Sequence, residues 1–463
     1  NEMEAAVLAI EAGIDIELPR ISCYGEPLIK AVEEGVISEA LIDEAVSRVL
    51  RVKMLLGLFE NPYINTRRAR EHLDKIEHRA LALEAARESI ILLKNDGTLP
   101  LSKNVGSIAV IGPNAASGRN LMGDYSYTAH LNYGDGEEAV PVTTILDGIR
   151  AKASPKTKIY YAKGCDIIDR SAEEINEAIK ASRKADVILA VLGEKSGLSA
   201  SDVTGEGRDR TNLGLPGVQE DLLRALCEVG KPLILILVNG RPITLDQELV
   251  RRCNAIVEAW FPGEEGGNAI AEIIFGEYNP SGKLPISIPI TTGQIPLYYN
   301  RAPSSFRDYV FIESKPQYPF GHGLSYTKFE YDSLRIEPRK VRAAGEVEVS
   351  FKLRNVGDRE GCEVAQLYIR DVIACVSRPV KELKGFVKVK LKPGEERMVT
   401  FRLHMDQLAF YDQYMRLIVE PGEYKVMIGS SSEDIRLRGE FEVIGNVRVL
   451  PNRRRYLSEV SIT

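Results

Sequence analysis

Long apolar runs are missing from this chain of 463 residues. None approaches the roughly 18 residues that a membrane-crossing helix needs, so no such helix is expected. A strong excess of one charge is missing too. Sixty Lys and Arg against 66 Asp and Glu leave a formal charge of −6, which excludes the basic stripe of a nucleic-acid-binding protein. Cysteine is sparse: Cys23, Cys165, Cys227, Cys253, Cys362 and Cys375 are scattered, with no CxxC pair. They read as small buried hydrophobes and not as a disulfide framework. The five histidines (His72, His78, His130, His322, His404) lack the tight spacing of a metal site, so neither metal nor cofactor is expected. An initiator Met is also absent. Residues from Glu2 onward read at once as an amphipathic helix, and a domain rarely starts mid-helix. The expectation is that a preceding part is absent or cleaved, and no compartment is inferred.

What is present has three textures, in keeping with a length of about three domains. Residues 1–60 read as a helix over 5–12, a short strand over 13–18 stopped by Pro19, a helix over 27–34, and a long helix over 39–56. Ser38 caps the last, and Gly57 ends it. Leu41, Ile42, Ala45, Val49, Val52 and Leu56 share one of its faces. This is the pattern of the last unit of a (β/α) barrel with a trailing helix. Sixty such residues cannot cover both faces of a parallel strand, so a large exposed apolar surface is expected. Residues 61–85 form a linker, with a helix continuing over 80–93. From 86 to 300, apolar β-branched runs (107–112, 158–162, 186–193, 232–239, 255–260) alternate with helices (172–184, 216–228, 244–253, 265–275). Such alternation predicts an α/β sandwich with a mostly parallel sheet. A connecting segment, 301–330, follows. From 331 to 445 period-two strands replace helices, at 346–354, 362–371, 381–391, 397–403, 422–429 and 437–443. They predict a small antiparallel β-sandwich. Residues 446–463 read as a tail whose basic Arg453–Arg455 run is surface.

The chemistry-bearing stretch lies between the strand ending at Gly193 and the helix opened by Leu215-Pro216-Gly217. Ligands collect outside the carboxyl ends of strands in an open α/β sheet. This loop leaves such an end carrying Glu194, Asp202, Glu206, Arg208, Asp209 and Arg210. Glu206 stands between two glycines, which allow a close-approaching backbone to present a general acid to a substrate held elsewhere. Asp209 and Arg210 are expected to pair and fix the loop. Taken alone, a glutamate in a glycine-rich loop is more often simply solvated.

Ordered segments across nearly the whole chain bear on this choice: AGIDIELP (12–19), AVSRVLRVKMLLGLFENPY (45–63), ESIILLKNDGTLPL (88–101), IAVIGPN (108–114), TGEGRDRTNLGLPGVQEDLLRAL (204–226), PGEEGGNAIAEIIFGEYNPSGKLPISIP (262–289) and YPFGHGLSYTKFEY (318–331). By them the chain resembles glycoside hydrolase family 3. The resemblance implies a barrel, an α/β sandwich and a fibronectin type III-like domain, with most of the barrel not in this sequence. It implies a retaining, exo-acting β-glycosidase of the β-xylosidase or β-glucosidase type, leaning to xylosidase, with an oligosaccharide or aryl glycoside as substrate. Relatives cleaving α-L-arabinosides leave the sugar open. By resemblance Glu206 is the acid/base. The nucleophile, an aspartate in a Ser-Asp-Trp or Ser-Asp-Tyr motif of the barrel, has no counterpart before AGIDIELP. Ser201-Asp202 lies in the wrong domain. In a retaining enzyme the two carboxyls stand roughly 5–5.5 Å apart, one attacking the anomeric carbon while the other protonates the leaving oxygen. Such an acid holds its proton near the working pH through burial or the nucleophile's charge, which docking on the barrel would provide.

Other residues are weaker candidates. Glu17, after a strand of barrel type, is a candidate sugar ligand, as are Glu194, Lys195 and Arg208. Arg208, Asp209 and Arg210 read more readily as scaffold. The segment 303–309 is a candidate edge of the leaving-group subsite. Trp260 is a candidate sugar platform but reads better as core. Ile111-Gly112-Pro113-Asn114 looks like a phosphate loop, yet it fits neither GxGxxG nor a P-loop. Two rivals remain. An N-acetylglucosaminidase with a His/Asp pair on the barrel is disfavoured by Gly205-Glu206-Gly207. A non-catalytic carbohydrate-binding or scaffold protein would use the two sandwiches without chemistry.

Overall fold

A computed structural model describes residues 1–127, 140–168, 171–305, 307–451 and 455–463, with 69 and 70 by their backbone alone. His130, Phe306, Arg453 and Arg454 lie outside the described residues. The chain forms two compact units, Asn1–Lys75 and Ile76–Thr463.

The first unit is helical. Its elements are α1 (Glu2–Glu11), α2 (Glu26–Glu33), α3 (Glu39–Leu55) and a single turn, α4 (Ala69–His72). Asn1 and Glu4 close a capping box on α1, and Ser38 Oγ accepts from the Ala40 amide to start α3. Ala6, Ile10, Leu28, Ala31, Ile37 and Ala45 make a small core. Much apolar surface stays outside it, as expected: Leu18, Leu55, Tyr63 and Ile64 are each at least 80% exposed. The strand expected over 13–18 is not formed. An extended backbone becomes a strand only by pairing, and this unit has no other strand among its described residues. The segment is held instead by Arg48, whose Nε donates to Asp15 Oδ1 and Oδ2 at 2.9 and 3.0 Å.

The second unit opens with α5 (Ile76–Ser89) and then β1 (Ile91–Asn95). The helix expected to run to residue 93 thus ends four residues early. Strands β2 (Ser107–Ile111), β3 (Lys158–Ala162), β4 (Val187–Gly193), β5 (Leu233–Val238) and β6 (Ala255–Glu258) complete a six-stranded sheet in the order β1-β6-β5-β4-β2-β3. All neighbours are parallel except β1, which runs antiparallel to β6 with Ile91 opposite Glu258. Helices cover both faces. Against one lie α5, α6 (Ile145–Lys152) and α10 (Gly266–Ile274). Against the other lie α7 (Ile175–Arg183), α8 (Gln219–Cys227) and α9 (Gln247–Arg252). β4 shows why. Val187, Leu189 and Val191 enter one core while Ile188, Ala190 and Leu192 enter the other, and all seven of its residues are buried.

The β-rich remainder has β7 (Phe329–Glu337), β8 (Lys340–Arg342), β9 (Glu346–Asn355), β10 (Gly361–Asp371), β11 (Glu382–Leu391), β12 (Glu396–His404), β13 (Phe410–Tyr411), β14 (Leu417–Val419), β15 (Gly422–Gly429), β16 (Ile435–Ile444), β17 (Arg448–Val449) and β18 (Glu459–Ile462). Sheets β11-β10-β15-β16-β8 and β18-β12-β9-β7 enclose a core built on Phe351, Phe401, Leu367 and Val426. β18 lies within the stretch read as a tail. Its Val460 pairs with Phe401, making it an edge strand of the second sheet. Gln366 of β10 clamps the two parts of this unit, donating to Gly321 O at 3.1 Å and Ser430 O at 2.7 Å. Tyr299 stacks on Phe320 at 4.2 Å beside it.

Candidate functional site

The loop after β4 is internally built. The Val203 amide donates to Lys195 O at 3.0 Å, and the Gly197 amide to Thr204 O at 3.0 Å. Asp202, buried at the centre, accepts from the Ser199 amide at 2.7 Å and from Ser199 Oγ at 2.5 Å. Its other oxygen stands 3.3 Å from Lys195 Nζ and 3.9 Å from Arg119. Lys195 also donates to Ser201 Oγ at 3.0 Å. Burial pushes Asp202 toward its neutral form, but Ser199 and Lys195 outweigh it, so its carboxyl sits below the ordinary range. Arg208 donates to Asp202 O and Ala200 O, both at 3.1 Å, as scaffold.

The root of the loop is Glu194, fully buried at the carboxyl end of the sheet. Arg210 donates to its Oε1 at 3.0 Å, Arg241 Nε stands 3.3 Å from the same oxygen, and the Gly240 amide donates to Oε2 at 3.2 Å. Burial pushes the Glu194 carboxyl up, while Arg241 and Arg210 pull it back. The expected Asp209–Arg210 pair is therefore replaced by Glu194–Arg210. Adjacent residues of an extended segment point to opposite sides, whereas Arg210 turns inward and Asp209 is exposed.

At the tip stands Glu206, exposed, between Gly205 at φ +122° and Gly207 at φ +69°. A side chain at 205 would bring a Cβ within 2.6 Å of Gly197 O, so the tight return of the loop requires glycine there. The Glu206 amide donates to Asp124 Oδ2 at 2.7 Å. Tyr125 Oη donates to Glu206 Oε2 at 3.3 Å, the one hydrogen bond its carboxylate receives among the described residues. The glutamate's charge and that bond raise the Tyr125 phenol above its usual range. Asp124 and Tyr125 were not singled out in the sequence. The available signal was the polar-aromatic turn GDYSY (123–127), which follows β2 and so emerges at the same sheet edge as the loop after β4.

The remaining candidates fall elsewhere. Glu17, in the helical unit, accepts from Ser22 Oγ at 2.7 Å and from the Ser22, Cys23 and Tyr24 amides, which hold its carboxyl down to about 2. It closes a turn and stays ionised. Gly112 is a packing glycine, since a Cβ there would meet Val191 O at 2.1 Å. Trp260 is half-buried against the α7–α8 face. Ser305, Arg307 and Tyr309 line a cleft with no residue of the 194–210 loop in its wall. Among the described residues no group of three His, Cys, Asp or Glu could hold a metal ion, and no helix is long and apolar enough to cross a membrane.

Glu258, beneath Glu194, was also missed. Burial pushes its carboxyl up to about 8. One oxygen accepts from the Trp260 amide at 3.0 Å, which with Asn239 favours the ionised form, but burial outweighs both. Between about 4.5 and about 8 the unfolded chain releases this proton and the folded chain keeps it. This group's effect on stability therefore falls as pH rises, by at most about 1.4 kcal/mol per pH unit. We expect Glu258→Gln to match the wild type at pH 5 and to unfold at a higher temperature at pH 8. A difference that does not grow with pH in thermal unfolding curves would refute this.

Residues 90–326 match the Glycosyl hydrolase family 3 C-terminal domain, and residues 363–432 the Fibronectin type III-like domain. The periplasmic β-glucosidase of Salmonella typhimurium is 39% identical over 95% of this chain and 60% of its own length. A β-xylosidase of Formosa agariphila is 39% identical over 94% of this chain and 60% of its own length. The Listeria innocua β-glucosidase crystallised with glucose superposes with a TM-score of 0.80 at 37% identity, over 96% of this chain and 60% of that one. This chain thus spans about 60% of the length of these relatives. With the mixed α/β domain, the fibronectin-like region and the glycine-flanked Glu206 loop in place, the matches establish that the chain belongs to glycosyl hydrolase family 3.

Proposed function

We propose that this chain is part of a retaining, exo-acting β-glycosidase acting on β-glucosides or β-xylosides. Glu206 is its acid/base, and the nucleophile comes from residues of the whole protein outside this sequence. The observation that carries the reading is Glu206 itself. It is an exposed carboxylate at the end of a rigidly bonded loop, free of any cationic partner among the described residues. The buried Glu194 and Asp202 are consumed by arginines, a lysine and a serine. In the first step the external carboxylate attacks the anomeric carbon while Glu206 passes its proton to the departing oxygen. In the second Glu206 takes a proton from the incoming water, which attacks the same carbon, so configuration is retained. Being named for β-glucosidase and β-xylosidase activity, the relatives support the substrate class.

The same proposal assigns 1–60 to the end of a (β/α)8 barrel, 61–85 to a linker, 86–300 to the α/β sandwich, 301–330 to a connection, 331–445 to the fibronectin-like domain and 446–463 to a tail. In this assignment the exposed apolar side chains of the helical unit are covered by the rest of the barrel. Lys195 and Arg208 serve the substrate by holding the loop that presents Glu206. The test is proton NMR of the whole protein turning over p-nitrophenyl β-glucoside and β-xyloside. Release of the β-anomer first is expected from one or both. First release of the α-anomer, or no hydrolysis of either, overturns the reading.

A further inference from the structure

The second unit holds a cleft of about 1210 Å³. That exceeds the roughly 300–1,000 Å³ of a site for one small molecule. One wall is the 293–319 segment, and the other is the outer face of β10, β15 and β16. Its charge is one-sided. Arg307, Lys315, Arg370, Lys425 and Arg438 line it, and none of the five is in an ion pair among the described residues. The acid on the lining, Glu433, is spent on Lys381 at 3.1 Å.

Two of the cations face each other across the sheet. Arg370 on β10 is directly opposite Lys425 on β15. Like charges in that position repel, and proteins normally place a carboxylate nearby. Glu440 is opposite Lys425 on its other side but makes no ion pair with it. Arg438, opposite Met427, extends the positive row along the same face. An arrangement that costs stability when empty is repaid when an anion bridges the cations. Tyr298, 65% exposed, adds a flat aromatic surface to the lining. Such a ring stacks on the apolar face of a pyranose.

We propose that this cleft binds an anionic oligosaccharide, a glycan carrying carboxylate or sulfate groups. Arg370, Lys425 and Arg438 bind its charges, and Tyr298 supports a ring. The saccharide part rests on the glycosidase reading above, whereas the anion part rests on the cations alone.

The test is calorimetric titration of the protein with tetragalacturonate, a heparin-derived tetrasaccharide, xylotetraose, tetra-aspartate and inorganic sulfate. At least one anionic tetrasaccharide should bind at least about tenfold more tightly than xylotetraose, and binding should weaken with added salt. Either tetrasaccharide alone supports the site and identifies its anionic group. Arg370→Gln/Lys425→Gln should lose at least tenfold in affinity. Because that pair removes a repulsion, it should unfold no earlier than the wild type, which separates lost binding from lost fold. Tyr298→Ala should weaken the tetrasaccharides and leave sulfate unchanged. Equal binding of neutral and charged tetrasaccharides, or no effect of the double variant, overturns the proposal. Tetra-aspartate or sulfate binding as tightly as the sugars overturns its saccharide part. Neither outcome touches the retention assay, so the two readings fail separately.

Discussion

Replacing Glu206 by alanine in the whole protein is expected to cost about 10²–10⁴-fold in turnover of substrates with poor leaving groups, the usual contribution of a positioned acid. The loss should not be uniform. A dinitrophenolate leaves without a proton, so formation of the glycosyl-enzyme from its glycosides should be nearly spared, and hydrolysis of the intermediate should become limiting. Azide, a nucleophile that needs no base, should then restore turnover and give the β-glycosyl azide. A uniform loss across leaving groups, with no azide effect, would make Glu206 structural. The structure makes that outcome instructive, because the obvious substitutes within the loop are poor ones. Glu194 is wholly buried between Arg210 and Arg241, and Asp202 is sealed beneath Ser199 and Lys195. Neither reaches solvent to meet a glycosidic oxygen. The acid would then have to be the exposed Asp209 or come from outside residues 194–210. Tyr125 offers an internal control. Tyr125→Phe removes the one hydrogen bond that the Glu206 carboxylate receives among the described residues, without touching the loop's own bonds.

How far the sequence could be read depends on the range of the interactions that decide each element. β4 was legible because seven successive apolar residues suit only a strand covered on both faces, and nothing distant alters that. β1 was not. Residues 76–89 favour a helix, and the apolar Ile91–Leu93 that follow fit helix or strand alike. The choice falls to β6, more than 160 residues later, which pairs with β1 backbone to backbone. β18 failed for the same reason, since only its register with β12 distinguishes it from a tail. At the site, two glycines and a family resemblance singled out Glu206. Its companions Asp124 and Tyr125 lie 82 and 81 positions away, joined to it only by adjacent strands whose loops share an edge. Arg210 misled by proximity. Asp209 is its neighbour in sequence, but Glu194, 16 positions upstream, is its neighbour in space. Glu258 was hidden because a glutamate ending an apolar strand reads as an exposed terminus unless the chain beyond it is known to fold back over it.

Glu194 also carries the second large effect. Removing one member of a buried ionic cluster leaves its partners charged in a poorly solvated place, at a typical cost of about 3–5 kcal/mol. In Glu194→Ala the stranded groups are Arg210 and Arg241, with side chains 13% and 19% exposed. They can turn partly toward water, so the lower end, about 3 kcal/mol, is expected. The unfolding midpoint in urea should fall accordingly. Activity should fall as well, because Arg210 and Arg241 also bond the loop backbone at Gly214, Val203 and Arg208, and so fix the approach to Glu206. Converting all three together, as Glu194→Leu/Arg210→Met/Arg241→Met, removes every stranded charge and should recover much of the stability. It should not recover the activity, since the backbone carbonyls of the loop would still lack their donors. If Glu194→Ala leaves the midpoint unchanged, the loop is held by Asp202 and its partners alone. If the triple variant regains both stability and turnover, the arginines have no positioning role. The cluster earns its place in the catalytic account only if stability and turnover separate in this way.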